Sequence, residues 1–566
     1  MPGQCGGLRR QILCFVLLGF FLLAFEAVAL PQPGVHDVTQ YGAVADGKTL
    51  NTASIQAAID ACAAAGGVVS FPPGSFLTGT IYLKSGVHLR IEQGATLLGS
   101  TNLADYPINH CAYPSRSDEY TMRALIWGEG LDDVGITGDG ILDGQGARFR
   151  SNESTPEESA AISAALTQEG RYTPYKRYFN RPYLIRLISC RNVLVEDVTL
   201  RDSAMWMQHY LDCDFVVVRG INVFNHVAPN NDMIDIDGCR NVIISDCFGD
   251  TDDDALTLKS TGAKATEHVV ISNCILRSHC NAIKMGTESA GGFKDIAISN
   301  CVIQRSSVVK GLSGRNEGLA GIALEIVDGG TLERVTVSNI VVEGTTAPIF
   351  MRLGNRARAA KPSDPKPGVG MFRDVSISNV TATGASRMGC AIAGIPGHRI
   401  ENVTLSNIRM AFAGGGTQEE AAAQVPEVEE KYPESAMFGT LPAYGLYLRH
   451  VQGIHLRDIE LRYETPELRP ALVAEDVHGL RLDTLSAQAE PGKGPQILLK
   501  DSTDAMITGC SPPAIESFTA LNGACDNVRL LHNDLTRARQ PYVFGDGAPP
   551  GAITAAFNLL PDSVKK

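Results

Sequence analysis

Asp232 stands 21 residues ahead of the adjacent pair Asp253-Asp254, and both sites lie in segments dense in Asp and Asn: Pro229-Asn230-Asn231-Asp232 and Asp252-Asp253-Asp254-Ala255. Carboxylates brought together repel one another, so a fold that gathers three of them gives up stability. Three neighbouring carboxyls cannot all ionise easily, and at least one should keep its proton near neutral pH. One protonated and one ionised acid are what hydrolysis of a glycosidic bond requires: the first protonates the leaving oxygen and the second activates water. Two blander roles exist for the same residues. Asp forms corners in tight turns, and Asp235, Asp237, Asp250 and Asp252 would add oxygens to a calcium site, although the spacing of an EF-hand loop is not met.

The elements that must position these acids are repeats. The unit is apolar-x-apolar-Ser-Asn/Asp-apolar, as in Ile243-Ile244-Ser245-Asp246-Cys247, Val270-Ile271-Ser272-Asn273-Cys274 and Val335-Thr336-Val337-Ser338-Asn339-Ile340. From Asp197 the Asn/Asp position advances by 23, 26, 27, 27, 39, 40 and 28 residues. Each step holds two or three short strands separated by turns, with alternation placing apolar side chains inside. A leucine-rich repeat would need a Leu ladder and a helical segment, and a propeller would need blades of about 40 residues. Steps near 25 with Asn turns predict a parallel β-helix, in which acids one coil apart stand side by side. The two long steps carry loops at Ser306 to Gly318 and Arg356 to Gly368. Thr52 to Cys62 is an amphipathic helix placed to cap the first coil, as a solenoid end requires. Ser151 to Lys176 and Gly414 to Glu434 break the pattern and are insertions, either walls of the groove near the acids or solvated excursions.

The chain of 566 residues is 44% hydrophobic and 20% charged, with 57 Gly and only 6% aromatic residues, a balance suited to short strands and turns. A net charge of -13 argues against nucleic acid as a partner. It does not exclude an anionic polysaccharide bound in a local basic groove. Arg9-Arg10, the 14-residue apolar run from Ile12 to Phe25 and Ala27-Val28-Ala29 have the pattern of a secretory signal peptide over residues 1–29. The expectation is therefore a secreted or periplasmic protein, free of the membrane after cleavage and monomeric, with residues 30–566 forming one catalytic domain. Cys247, Cys274 and Cys301 recur at 27-residue intervals, a stacked core position, and one or two disulfides elsewhere suit export. No zinc-type Cys spacing is present, and neither metal nor cofactor is expected.

The motifs resemble those of glycoside hydrolase family 28, the polygalacturonase family of right-handed parallel β-helices. Asn230-Asn231-Asp232 is similar to the family's Asn-Thr-Asp. Asp252-Asp253-Asp254-Ala255-Leu256-Thr257-Leu258-Lys259-Ser260 is similar to its Gly-Asp-Asp-Cys-Ile-Ala-Ile-Lys-Ser. Arg181-Pro182, Trp206 and the opening Tyr41-Gly42-Ala43-Val44-Ala45-Asp46-Gly47 also fit, and the likeness runs over about residues 35 to 410. It implies an inverting hydrolase of pectic polysaccharide, with Asp253 as acid and Asp232 and Asp254 holding and deprotonating water. The chain departs from the family one coil later. Where the family has Gly-His-Gly this chain has Cys280-Asn281-Ala282, with His279 two residues from the expected position. Where the family has Arg-Ile-Lys to grip a uronate it has Ala323-Leu324-Glu325. Substrate contacts are therefore expected from Asn230, His279, Asn281, Lys284, Arg315 and Glu325, with Arg352, Arg356 and Glu288 as further candidates. A calcium-dependent pectate lyase and a non-catalytic carbohydrate-binding β-helix are the alternatives.

Overall fold

The structure, a computed structural model, describes residues 34–151 and 153–562. The leader expected over residues 1–29 lies outside them. Strands pair in parallel coil upon coil, from Gly34–Asp37 against Gly67–Phe71 to Val528–Leu531 against Ile553–Ala556, giving the parallel β-helix that the repeats predict. Its interior is one continuous apolar core. Stacked positions such as Val216, Val242, Val269, Ile296, Val335 and Val375 are almost wholly buried. Burying each such side chain contributes about 1.5–3 kcal/mol.

The Asn/Asp of the repeat is the corner of each coil. Asp197, Asp246, Asn273, Asn300, Asn339, Asn379, Asn407 and Asp458 all have φ between 52° and 63°, the left-handed region that Asn and Asp tolerate best after Gly. Their side chains stack: Asn300 Nδ2 donates to Asn273 Oδ1 at 3.4 Å, Asn339 to Asn300 at 3.0 Å, and Asn379 to Asn339 at 2.9 Å. The later strands are longer than the short ones expected. Leu446–Thr465 spans 20 because the ladder continues straight through the left-handed residues His450 and Asp458.

The helix Thr52–Cys62 turns Ile55, Ala58, Ile59 and Cys62 onto the first coil, closing the core at that end. Within the first insertion, Pro156–Gln168 is a helix started by a Thr155–Glu158 capping box. The twelve cysteines of the described residues are all free thiols, eleven of them buried, so the disulfides considered from the sequence do not form among them. Among the described residues no helix is long and apolar enough to cross a membrane.

Candidate active site

One ladder of the solenoid carries the acids. Its strands Ile234–Asp237, Leu256–Ser260, Asn281–Ser289 and Gly318–Ile326 stack with Ile234, Leu256, Ile283 and Ile322 in register inside the core. Continuing that register back by two residues puts Asp232, Asp254 and Asn281 at one level on successive coils. The bonds Met233 N–H to Asp254 O (3.0 Å) and Ala255 N–H to Asn281 O (2.9 Å) hold this alignment. Asp232, Asp253 and Asp254 lack the positive φ that marks the corner residues. The turn-forming role thus belongs to other Asp residues.

The environment separates the three carboxyls. Burial alone would raise Asp254, which is 3% exposed, but the charges of Lys284 and Lys259 and two sets of hydrogen bonds outweigh it and hold the group below the usual carboxylate range. Its Oδ2 accepts from Lys284 Nζ at 2.9 Å, and its Oδ1 accepts from Asn281 N (3.0 Å) and Nδ2 (2.8 Å). Burial, and then the charge of Asp254, push Asp253 up to about 6. Asp232 is driven well above its ordinary value by burial and by the charges of Asp235 and Asp253, with Lys259 opposing. Lys259 Nζ lies 3.4 Å from Asp235, 3.6 Å from Glu288 and 3.8 Å from Asp232, and 4.5 Å over the ring of Trp206. A neutral carboxyl beside an ionised one at pH 5 to 6 is the division of labour that acid–base hydrolysis uses.

Asp253 faces a cavity of about 520 Å³ together with Asn230, His279 and Arg315. Both insertions wall it, the first through Tyr175, with Arg177 and Tyr178 just past its end, and the second through Tyr432 and Glu434. Three of the expected substrate residues sit behind this wall. Asn281 and Lys284, 0% and 2% exposed, are committed to Asp254. Glu325 is fully buried, neither carboxylate oxygen has a hydrogen-bond partner, and burial pushes it up to about 8. Arg352 also turns inward, donating to Gly394 O (2.8 Å) and Glu427 O (2.7 Å), and so secures the second insertion instead of a ligand.

The cavity brings cations that sequence reasoning passed over. Arg150, Arg177 and Arg358 line it beside Arg315 and Arg356. Arg358 is engaged with Glu288 (2.8 Å) and Asp328 (3.0 Å), and Arg356 with Asp328 (2.9 Å). Arg315 has one long contact to Glu434, at 3.5 Å. Arg150 and Arg177 form no ion pair among the described residues; Arg177 lies 4.5 Å over the ring of Tyr178. They flank the first insertion, and only its fold over the acids makes them part of the site. Of the acids considered for calcium, Asp237 accepts from Thr261 N (2.8 Å), Thr261 Oγ1 (2.6 Å) and His209 (3.1 Å). Asp250 accepts from Ser306 Oγ (2.6 Å) and Ser307 N (2.9 Å), so both serve protein donors.

A solenoid bearing one raised and one lowered carboxyl at a cation-lined cavity has the equipment of the glycosidic-bond hydrolases. The chain belongs to family 28 of the glycosyl hydrolases, whose sequence model matches residues 67–431. It is 32% identical over 256 residues to an exo-poly-alpha-D-galacturonosidase of Dickeya chrysanthemi, covering 40% of this chain and 42% of the relative. It is 31% identical over 233 residues to a probable polygalacturonase of Vitis vinifera, covering 39% and 44%. The chain thus spans less than half the length of these curated relatives. Its fold is similar to that of a hyperthermoactive exopolygalacturonase from Thermotoga maritima, with a TM-score of 0.59 and 21% identity over 76% of this chain and 94% of that one.

Proposed function

We propose that the protein hydrolyses glycosidic bonds of a galacturonate-containing pectic polysaccharide with inversion of the anomeric centre. The observation that carries this reading is the split between Asp253, pushed up to about 6 at the cavity wall, and Asp254, held low by Lys284. Asp253 donates its proton to the leaving glycosidic oxygen. Asp254, kept ionised, takes the proton of the attacking water, and Asp232 beside Lys259 orients that water. Arg150 and Arg177, with Arg315, replace the family's missing Arg-Ile-Lys clamp by meeting uronate carboxylates, for which a guanidinium fork is suited. The activities named for the relatives, exo-poly-alpha-D-galacturonosidase and polygalacturonase, agree with an anionic substrate. The same reading makes residues 30–566 one catalytic unit, exported and acting as a monomer. N-terminal sequencing and the solution mass of the mature protein test that part.

The test is a panel of pectic polysaccharides and galacturonate oligomers given to the wild type and to Asp253→Asn. General-acid loss should lower kcat by roughly 10²–10⁴-fold. Proton NMR of the first product should show the inverted anomer, and a retained anomer refutes the assignment of roles. An acid that must be protonated places the alkaline limb of the wild-type profile near pH 6, with activity falling as pH rises through it. Products absorbing in the near ultraviolet, together with chelator sensitivity, would point to elimination instead.

A further inference from the structure

Beside the acids lies a group to which the proposed hydrolysis assigns no role: Asp252 and His279, which line the same cavity, and His226, which does not. One ligand atom from each, the histidines contributing ring nitrogens and Asp252 a carboxylate oxygen, lies within 4.8 Å of the others. Both imidazoles are already oriented from behind. His226 Nε2 is 3.0 Å from Asp250 Oδ1, and His279 Nε2 is 2.9 Å from the carbonyl oxygen of Val308. A carbonyl and an ionised carboxylate only accept, so each Nε2 carries the hydrogen, and each Nδ1 offers a lone pair when its ring holds one proton. Asp250 is itself fixed by Ser306 and Ser307. Carboxylate–histidine and carbonyl–histidine pairs of this sort are the outer supports of metal-binding imidazoles.

The inner atoms lack protein partners. Nδ1 of His226 and Nδ1 of His279 are both buried without a hydrogen bond, and the two side chains are 7% and 1% exposed. His279 Nδ1 lies 3.5 Å from Asp252 Oδ1, whose remaining contact is the N–H of Leu312 at 2.7 Å. A lone pair facing a carboxylate oxygen is unfavourable unless a cation stands between them. The chain leaves room for one. Gly311 packs over the group, and a Cβ there would fall 2.9 Å from both Asp252 Oδ1 and His279 Nδ1.

We propose that His226, His279 and Asp252 bind a divalent transition-metal ion of the zinc class. Two imidazoles and one carboxylate suit Zn²⁺ or Co²⁺ better than Ca²⁺ or Mg²⁺, which favour oxygen ligands. Bonds of about 2.0–2.1 Å require the three atoms to close to roughly 3.4 Å from one another, a matter of small side-chain rotations. Because Asp252 and His279 line the cavity, the open coordination positions face the space a ligand enters.

The experiment uses untagged, chelator-stripped protein, titrated with Zn²⁺ by calorimetry and with Cu²⁺ followed by electron paramagnetic resonance. One equivalent should bind, and the Cu²⁺ spectrum should show hyperfine coupling from two imidazole nitrogens. His226→Gln, which does not touch the cavity, should weaken binding at least 10-fold, and Gly311→Ala should block it sterically. Asp250→Asn, which disturbs the support of His226 together with the contacts to Ser306 and Ser307, should weaken it 10–100-fold. Circular dichroism shows whether each variant is folded. Binding unchanged in folded His226→Gln, a spectrum with fewer than two imidazoles, or no uptake by wild type would overturn the proposal. None of these readouts depends on hydrolysis, so the site can fail while the hydrolase reading stands, and the reverse.

Discussion

Lys284→Met removes one charge and keeps the length of the stem, which makes it the sharpest probe of how the acids are divided. The ammonium lies 2.9 Å from Asp254 Oδ2, with both side chains nearly inaccessible at 2% and 4% exposure. At an effective dielectric of ~20 two unit charges at this separation attract by about 6 kcal/mol. Breaking a buried pair by deleting one partner costs about 3–5 kcal/mol in practice. The cost should depend on pH. Asp254 has a lowered folded pKa, so its pairing adds stability above the unfolded carboxylate value and loses it as pH falls through the folded one. Lys284 is raised, so its share is fully present below its unfolded value and is lost as pH rises through the folded one. The destabilisation of Lys284→Met should therefore be large from pH 5 to 9 and shrink in acid. In catalysis the acid limb of kcat/KM should move to higher pH, towards the limb set by Asp253, so that the profile narrows and its peak falls by roughly 10²-fold or more. Thermal unfolding across pH and a full pH–rate profile on an oligogalacturonide measure both. If the melting temperature drops while the acid limb and peak rate stay in place, Lys284 is a packing residue and the split of the acids has another origin.

Arg150→Ala and Arg177→Ala should each raise KM for galacturonate oligomers roughly 10-fold or more with little change in kcat, the loss of a charge-assisted hydrogen bond worth about 1.5–3 kcal/mol. Methyl-esterified oligomers should show almost no difference, and equal effects on both substrates would refute the carboxylate contact. Glu325 is raised to about 8, so its burial is best tolerated below its unfolded value and stability is lost as pH rises through 8, by roughly 3–5 kcal/mol in all. Glu325→Met should remove that slope in melting curves taken from pH 6 to 9. A variant that loses stability with pH as steeply as wild type would contradict it.

The sequence was enough for whatever depends on local rules. A coil repeats because apolar residues alternate and an Asn or Asp tolerates the left-handed corner, so the period and the Asn turns could be read from spacing alone. The capping helix was legible to the residue at Thr52 and Cys62 because its apolar face follows a helical period. Asp232 and Asp253-Asp254 were legible as neighbours because one coil of chain separates them. What the neighbours do was less visible. Asn281 and Lys284 stand beside the acids, yet the carboxylate both engage is Asp254, and Lys284 meets the cavity lining only at the Tyr432 hydroxyl. Glu325 aligned with a family clamp residue but is sealed inside.

By itself the sequence determined the solenoid and the coil that carries the acids. Only the tertiary structure decided which acid is pushed up and which is held low, and which cavity cations lack an ion pair among the described residues. Both depend on fields and contacts between residues far apart along the chain: Lys284 against Asp254, Glu288 against Arg358, and two insertions closing over one cavity. Burial and charge act through space, and no repeat spacing records them.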